Sequence, residues 1–248
     1  MKKSIIQNII EFQKEAAIIS LADYGENHTL NWVYNQSNHW PHSIIGTTER
    51  FNFDSILKRI SKKEYPPFWI MDQQQSVDQI AFLDHNGFKE INRWQGMSLL
   101  KDNFKESDSV DGSIELFNVT TNSDLNEWLS VVKPVMMENK NFSDKVLNYW
   151  LENTNYVLMI GKENHKCISA GMAYINNDVA GLYFIATLPE SQGKGYASEL
   201  VEELIKQCFK NEVKEIVLHS SNMGRKLYAK MNFMTYGSIS TYWKLGMF

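Results

Sequence analysis

The stretch Gly181 to Ala197, reading GLYFIATLPESQGKGYA, limits more than any other feature what this chain can fold into. An apolar run up to Thr187 has the length and residue types of a buried strand. Pro189 ends it, and two glycines, Gly193 and Gly195, follow on either side of Lys194. From Tyr196 onward apolar residues recur at Leu200, Leu204 and Cys208, the spacing of one helix face. A strand that feeds a glycine turn opening a helix places the chain among α/β folds. It also suits an anion. Glycine has no Cβ, so a ligand can approach the backbone closely, and the first N–H groups of a helix point outward without intrahelical acceptors.

The flanking patterns extend that unit. A polar, acidic, serine-containing segment from Lys101 to Gly112 separates two regions, so residues 1–105 and 112–248 are read as two domains. In the second, a strand at Ile114 to Phe117 precedes a helix capped by Ser123 or Asp124, with Leu125, Trp128, Leu129 and Val132 facing inward and Pro134 disturbing its end. A helix through Val146 and Trp150 comes next. Strands at Tyr156–Ile160, Cys167–Ile175 and Val179–Thr187 are joined by hairpin turns at 162–166 and 176–178, which predicts antiparallel pairing. After the glycine turn and its helix come a strand at Glu215–Ser220, a short helix at Met223–Met231 and a final pair of strands from Met234 to Leu245. On the helix after the turn, Glu202 and Lys206 stand one turn apart in the favourable order.

The first region is less regular. Ile5, Ile9, Phe12, Ala16 and Ile19 form one helical stripe, and the later part reads strand Ser43–Gly46, helix Phe53–Ser61, strand Phe68–Met71, helix Ser76–His85, then strands to Leu100. That order matches the end of the second region, with Leu83 to Phe88 standing where Tyr228 to Phe233 stands. A decayed duplication and a chance likeness of two α/β segments both account for it.

Among phosphate-binding turns the residues separate three readings. A P-loop requires Ser or Thr after Gly-Lys, and here Gly195 follows. A dinucleotide fingerprint requires a third glycine and an acidic residue ending the next strand, whereas this chain has Ala197-Ser198 and His219-Ser220. The hexad Gln192, Gly193, Lys194, Gly195, Tyr196, Ala197 follows the Gln/Arg-x-x-Gly-x-Gly/Ala pattern. It resembles the Gcn5-related N-acetyltransferase (GNAT) family. Leu227-Tyr228-Ala229-Lys230-Met231-Asn232-Phe233 is similar to the family's Leu-Tyr-x-Lys-x-Gly-Phe element, with Asn232 in place of glycine, a substitution that tolerates left-handed backbone. Ser221-Asn222-Met223-Gly224 departs from the family's Asn-x-x-Ala. The first region has no equivalent hexad: Gly46-Thr47-Thr48-Glu49-Arg50 stands there.

The resemblance implies a GNAT fold over the C-terminal half, with a degenerate GNAT-like N-terminal half that helps build the acceptor side. It further implies acetyl-CoA as co-substrate and a primary amine as acceptor. The backbone of Ile185, Ala186 and Thr187 would meet the pantetheine arm and acetyl carbonyl, with Gln192 to Ala197 around the pyrophosphate and Ser221 in the following turn. Tyr228 would serve as general acid to the departing thiolate, the alternative being a packed helix aromatic. His219 is the candidate base, the alternative being a structural histidine. A non-catalytic acyl-CoA-binding or regulatory module is the rival to an enzyme.

Composition removes other classes. A formal net charge of -4 and the absence of a Lys/Arg-dense run argue against nucleic acid as partner. No stretch reaches the roughly 18 apolar residues of a membrane span, and Gln7, Asn8, Glu11, Lys14 and Glu15 interrupt any signal-peptide core, so a cytoplasmic location is expected. Cys167 and Cys208, the only cysteines, have apolar neighbours and read as buried free thiols. His28, His39, His42 and His85 lack metal-ligand spacing, and no metal is expected. Trp32, Trp40, Trp69 and Trp94 read as core aromatics or as walls of an acceptor pocket. The final strands offer an edge for a homodimer.

Overall fold

The computed structural model describes residues 3–27, 30–35, 39–46, 53–71, 77–107, 114–137 and 140–246. His28, Thr47 to Arg50, Ser76 and the 108–112 part of the linker lie outside the described residues. In chain order the elements are α1 (Lys3–Ser20), β1 (Asp23–Glu26), β2 (Leu30–Tyr34), β3 (Ser43–Gly46), α2 (Phe53–Ser61), β4 (Phe68–Met71), α3 (Val77–His85) and β5 (Phe88–Leu100). The second half contributes β6 (Glu115–Asn118), α4 (Asn122–Val132), α5 (Asp144–Glu152), β7 (Tyr156–Glu163), β8 (Lys166–Asn176), β9 (Val179–Thr187), α6 (Tyr196–Lys210), β10 (Glu215–Ser220), α7 (Arg225–Lys230) and β11 (Met234–Lys244).

Three expectations change. The final pair of strands is one strand, β11, because the chain passes Gly237 at φ 148 without reversing. Likewise the strands expected up to Leu100 are the single strand β5. The cap of α4 is Thr121 rather than Ser123 or Asp124. Asp124 N donates to Thr121 Oγ1 at 3.2 Å while Asp124 Oδ2 accepts from Thr121 N at 3.0 Å, a reciprocal box that satisfies two donors the helix start leaves open. After α4, a π-turn over Lys133–Met137 takes up Pro134.

The chain divides into two compact units. One comprises Met1–Met97, His219–Tyr228 and Met234–Phe248, and the other Ser98–Leu218 and Ala229–Phe233. In the first, strands run in the order β1-β2-β3-β4-β11-β5. β3 and β4 are parallel, and β11 pairs antiparallel with β4, Thr241 opposite Ile70. Ile44, Ile60, Trp69, Met71, Leu83, Phe88 and Tyr242 form its core. α1 buries Ile5, Ile9, Phe12 and Ala16 as its spacing predicts, Ile19 being half-buried near the helix end.

In the second unit the order is β10-β9-β8-β7-β6. β6 to β9 are antiparallel neighbours, whereas β9 and β10 are parallel across the α6 connection. α6 buries Tyr196, Leu200, Leu204 and Cys208, with Val201 and Ile205 beside them. Burial of these side chains holds the glycine turn against the sheet, since each large aliphatic residue removed from water contributes about 1.5–3 kcal/mol. Cys167 and Cys208 are buried free thiols, pushed up by burial to about 11 and about 12.

Candidate functional site

β9 is regular only in its first half. Val179 to Leu182 pair in parallel register with Glu215 to Leu218 of β10. Against β8, Met172 lies opposite Tyr183 and Ala170 opposite Ala186, so Phe184 and Ile185 together oppose Gly171. This is a β-bulge, and Phe184 carries it at φ 53, an unfavourable conformation for an aromatic residue. Side chains oppose that cost. The Phe184 ring meets Trp128 and Phe142 edge-on, at 5.9 and 5.2 Å between centroids, and Trp128 Nε1 donates to the Gly171 carbonyl at 3.0 Å. The carbonyl facing the bulge is thereby satisfied by a helix side chain. Beyond Leu182, β9 keeps its ladder to β8 through Ala186 and Thr187, and among the described residues of this unit its other edge has no strand partner.

The turn that follows is built without a side-chain cap. Pro189–Ser191 form one 3₁₀ turn, and Gln192 Nε2 donates to the Thr187 carbonyl at 3.1 Å, tying the turn to the strand end. Gly193 stands at φ 79 and Gly195, the N-cap of α6, at φ 93. Both values lie in the region that favours glycine, and a Cβ built on either residue meets no atom within 4 Å. Open space therefore lies above them. The N–H groups of Gly193, Lys194, Gly195, Tyr196 and Ala197 have no acceptor among the described residues. Five consecutive donors above an open surface, at the positive end of a 15-residue helix, form a concavity suited to an anion. Thr187 Oγ1 and Ser169 Oγ, opposite each other in register, are buried and without a partner among the described residues.

Ile185, Ala186, Thr187 and Gln192 to Ala197 thus share one end of this unit. Their roles differ in kind. The Gln192 side chain is engaged within the turn, and Tyr196 is buried, its ring among Ile114, Ile168 and Leu116. Ile185 reaches, together with Leu200, the space over Gly171.

Tyr228, His219 and Ser221 belong to the first unit. Tyr228 is buried, and burial raises its phenol well above the ordinary tyrosine value, so it stays protonated. His219 is pushed down to about 4 by burial, against the opposing hydrogen bond to the backbone of Ile5, and its ring lies 6.5 Å from that of Trp94. At neutral pH it is an uncharged imidazole of reduced basicity. Ser221 Oγ accepts from the Gly224 N–H at 3.2 Å, which starts the short helix α7. Asn232 stands at φ 65 just before the buried Phe233, as Gly87 stands at φ 77 just before the buried Phe88.

Of the other aromatics, Trp69 is core and Trp40 packs on Phe12 at 4.8 Å. Trp32 lines a shallow cleft of about 160 Å³ with Gln13, Tyr24 and Ser43. His42 accepts at Nδ1 from the Asn35 N–H. Among the described residues no group of three or more His, Cys, Asp or Glu is placed to hold a metal ion, and no helix is long and apolar enough to cross a membrane. Sequence reasoning missed Glu163, Phe184 and Ser169. No local pattern marks them, since each acts through a residue remote in the chain or through a register shift.

Residues 122–233 match the model of the family described as acetyltransferase (GNAT) family. A GCN5-related N-acetyltransferase from Kribbella flavida is similar in fold, with a TM-score of 0.71 at 8% identity over 98% of this chain and 96% of that one. A functionally unknown conserved protein from Staphylococcus epidermidis gives 0.66 at 13% identity, over 90% and 94% of the two chains. A GCN5-related N-acetyltransferase from Sphaerobacter thermophilus gives 0.60 at 10% identity, over 96% and 90%. Identities this low speak for the fold alone. No curated protein matches the chain in sequence.

Proposed function

Since residues 122–233 carry a domain of the acetyltransferase (GNAT) family, with the α/β fold of that family, we propose that the chain transfers the acetyl group of acetyl-CoA to a primary amine. One observation carries the reading: the row of donors from Gly193 to Ala197, without acceptors among the described residues and open above two left-handed glycines. A pyrophosphate supplies the charge that this row lacks. The edge of β9 beyond the bulge that has no strand partner among the described residues of its unit supports a pantetheine amide pairing there as an added strand, and a β9 N–H would stabilise the oxyanion of the attacked thioester.

In this scheme the amine nitrogen attacks the thioester carbon, the C–N bond forms, and the C–S bond breaks. The ammonium proton leaves to water, with His219 too weakly basic to be its main acceptor at neutral pH. Tyr228, which keeps its proton because burial disfavours the phenolate, is proposed on the family resemblance as the donor to the sulfur. The degenerate N-terminal copy is likewise a proposal, supported by the shared left-handed residue before Phe88 and Phe233.

The test is calorimetric titration with acetyl-CoA, followed by thiol release with a panel of amines. Binding with amine-dependent release is expected, and Tyr228→Phe should lower turnover about a hundredfold while acetyl-CoA affinity stays within about twofold. Binding without release for any amine would favour an acyl-CoA-binding module, a reading to which the low basicity of His219 lends weight. Absence of binding would refute both.

A further inference from the structure

The turn does not present its lysine to solvent unopposed. Glu163, the last residue of β7, reaches across the 33 residues that separate it from the helix start. Its Oε1 accepts the Tyr196 hydroxyl, and its Oε2 lies 3.5 Å from Lys194 Nζ. Lys194 Nζ also sits 5.5 Å from the centre of the Tyr196 ring. One carboxylate thus holds both the first residue of α6 and the cation of the turn. The neighbouring cation is balanced in the same way, Lys166 Nζ lying 3.1 Å from Glu190 Oε1.

The local chemistry agrees with the geometry. The Tyr196 hydroxyl, and after it Lys194, hold the Glu163 carboxyl below its ordinary range, so it is ionised at neutral pH. Lys194 is raised mainly by the Glu163 charge. An anion arriving on the donors from Gly193 to Ala197 therefore meets a lysine already paired, with a full negative charge next to it. That charge opposes binding, because like charges within a Debye length repel and the lysine is shared between two partners. The same carboxylate anchors Tyr196, whose buried ring fixes where α6 begins.

We propose that Glu163 is a positioning residue that sets the anion affinity of the turn: it fixes Tyr196 in place and holds Lys194 as a counter-charge that the incoming phosphate must draw away. The proposal rests on the reading of this turn as the pyrophosphate site. A consequence is moderate retention of CoA, so that the product leaves the turn more readily than an uncompensated lysine would allow.

Glu163→Gln separates the two duties, because the amide oxygen still accepts the Tyr196 hydroxyl while the charge is gone. CoA and, separately, inorganic pyrophosphate are titrated into the full-length protein and the variant at low and high ionic strength. Pyrophosphate binding is followed by the amide NMR signals of Gly193 and Gly195. The variant is expected to bind both probes roughly threefold more tightly at low ionic strength, the gain fading as salt rises, with thermal stability nearly unchanged. Equal affinities in the two proteins, or a stability change without an affinity change, would overturn the role of Glu163 and leave the acetyltransferase reading standing. Pyrophosphate binding that is tighter in the variant, with no CoA binding by either protein, would uphold Glu163 and overturn that reading. Failure of both probes with both proteins would overturn both.

Discussion

Replacing Gly195 with alanine tests whether the handedness of the turn creates the anion site. The added methyl group meets no atom within 4 Å, so no clash is expected. The cost is in the backbone, which stands at φ 93, ψ -10 at the N-cap of α6. A residue with a Cβ loses about 1–2 kcal/mol in a left-handed conformation. Lower entropy of the unfolded chain returns about 0.4–1 kcal/mol. The net loss is about 1 kcal/mol, or about 2–4 °C in Tm for a chain of this size. Relief of the strain rotates the peptide and turns at least one N–H away from the row. Loss of one hydrogen bond to a charged group costs about 1.5–3 kcal/mol, so acetyl-CoA should bind about 10- to 100-fold more weakly. Scanning calorimetry and isothermal titration read the two effects. Gly87→Ala is the control: it stands at φ 77 with only Lys244 Nζ near, at 3.9 Å, and should show a similar fall in Tm with no change in affinity. If Gly195→Ala lowers Tm but binds acetyl-CoA as the wild type does, the donor row is not the anion contact and the reasoning fails.

Three further outcomes follow from the packing around the site. Gly171→Ala places a methyl 2.6 Å from Ile185 Cδ1 and 2.8 Å from Leu200 Cδ2, between the bulged strand and α6, and should destabilise by about 1–3 kcal/mol in urea unfolding. Trp128→Phe keeps most of the buried ring but leaves the Gly171 carbonyl without its donor, for a loss of about 1–3 kcal/mol; an unchanged midpoint would show that water replaces the indole there. His219, folded near 4 and ordinarily near 6.5, takes up its proton more readily in the unfolded chain, so its contribution is fully present above about pH 6.5 and falls as the pH drops towards 4. The loss reaches at most about 3 kcal/mol, and the difference between wild type and His219→Asn across that window isolates it from the carboxylates.

Much of the second half was legible because its signals are local. The stripe Tyr196, Leu200, Leu204, Cys208 has a helical period, and all four are buried. Gly193 and Gly195 marked a turn that opens a helix, and the helix does begin there, with both glycines at positive φ. Asn232, read as a tolerated replacement for glycine, adopts φ 65. Where reading failed, a local cue had two solutions. Met234 to Leu245 read as a pair of strands, yet the chain runs straight through Gly237 as the single strand β11, because pairing with β4 holds the later residues in one ladder. Ser123 and Asp124 are both good caps, and Thr121 takes the position because it alone lets Asp124 fold back onto its N–H.

The sequence by itself determined the run of elements from β6 to β10, the buried faces of α1 and α6 and the place of the glycine turn, since propensity, periodicity and glycine freedom all act within a few residues. Only the tertiary structure decided the rest. The bulge at Phe184 arises from the register of β9 against β8 and is held by Trp128, 56 positions earlier in the chain. The grip of Glu163 on Tyr196 and Lys194 exists because β7 ends beside the start of α6. The acidity of His219 and Tyr228 depends on burial, which is a property of everything packed around a side chain and of nothing in its own neighbourhood of sequence.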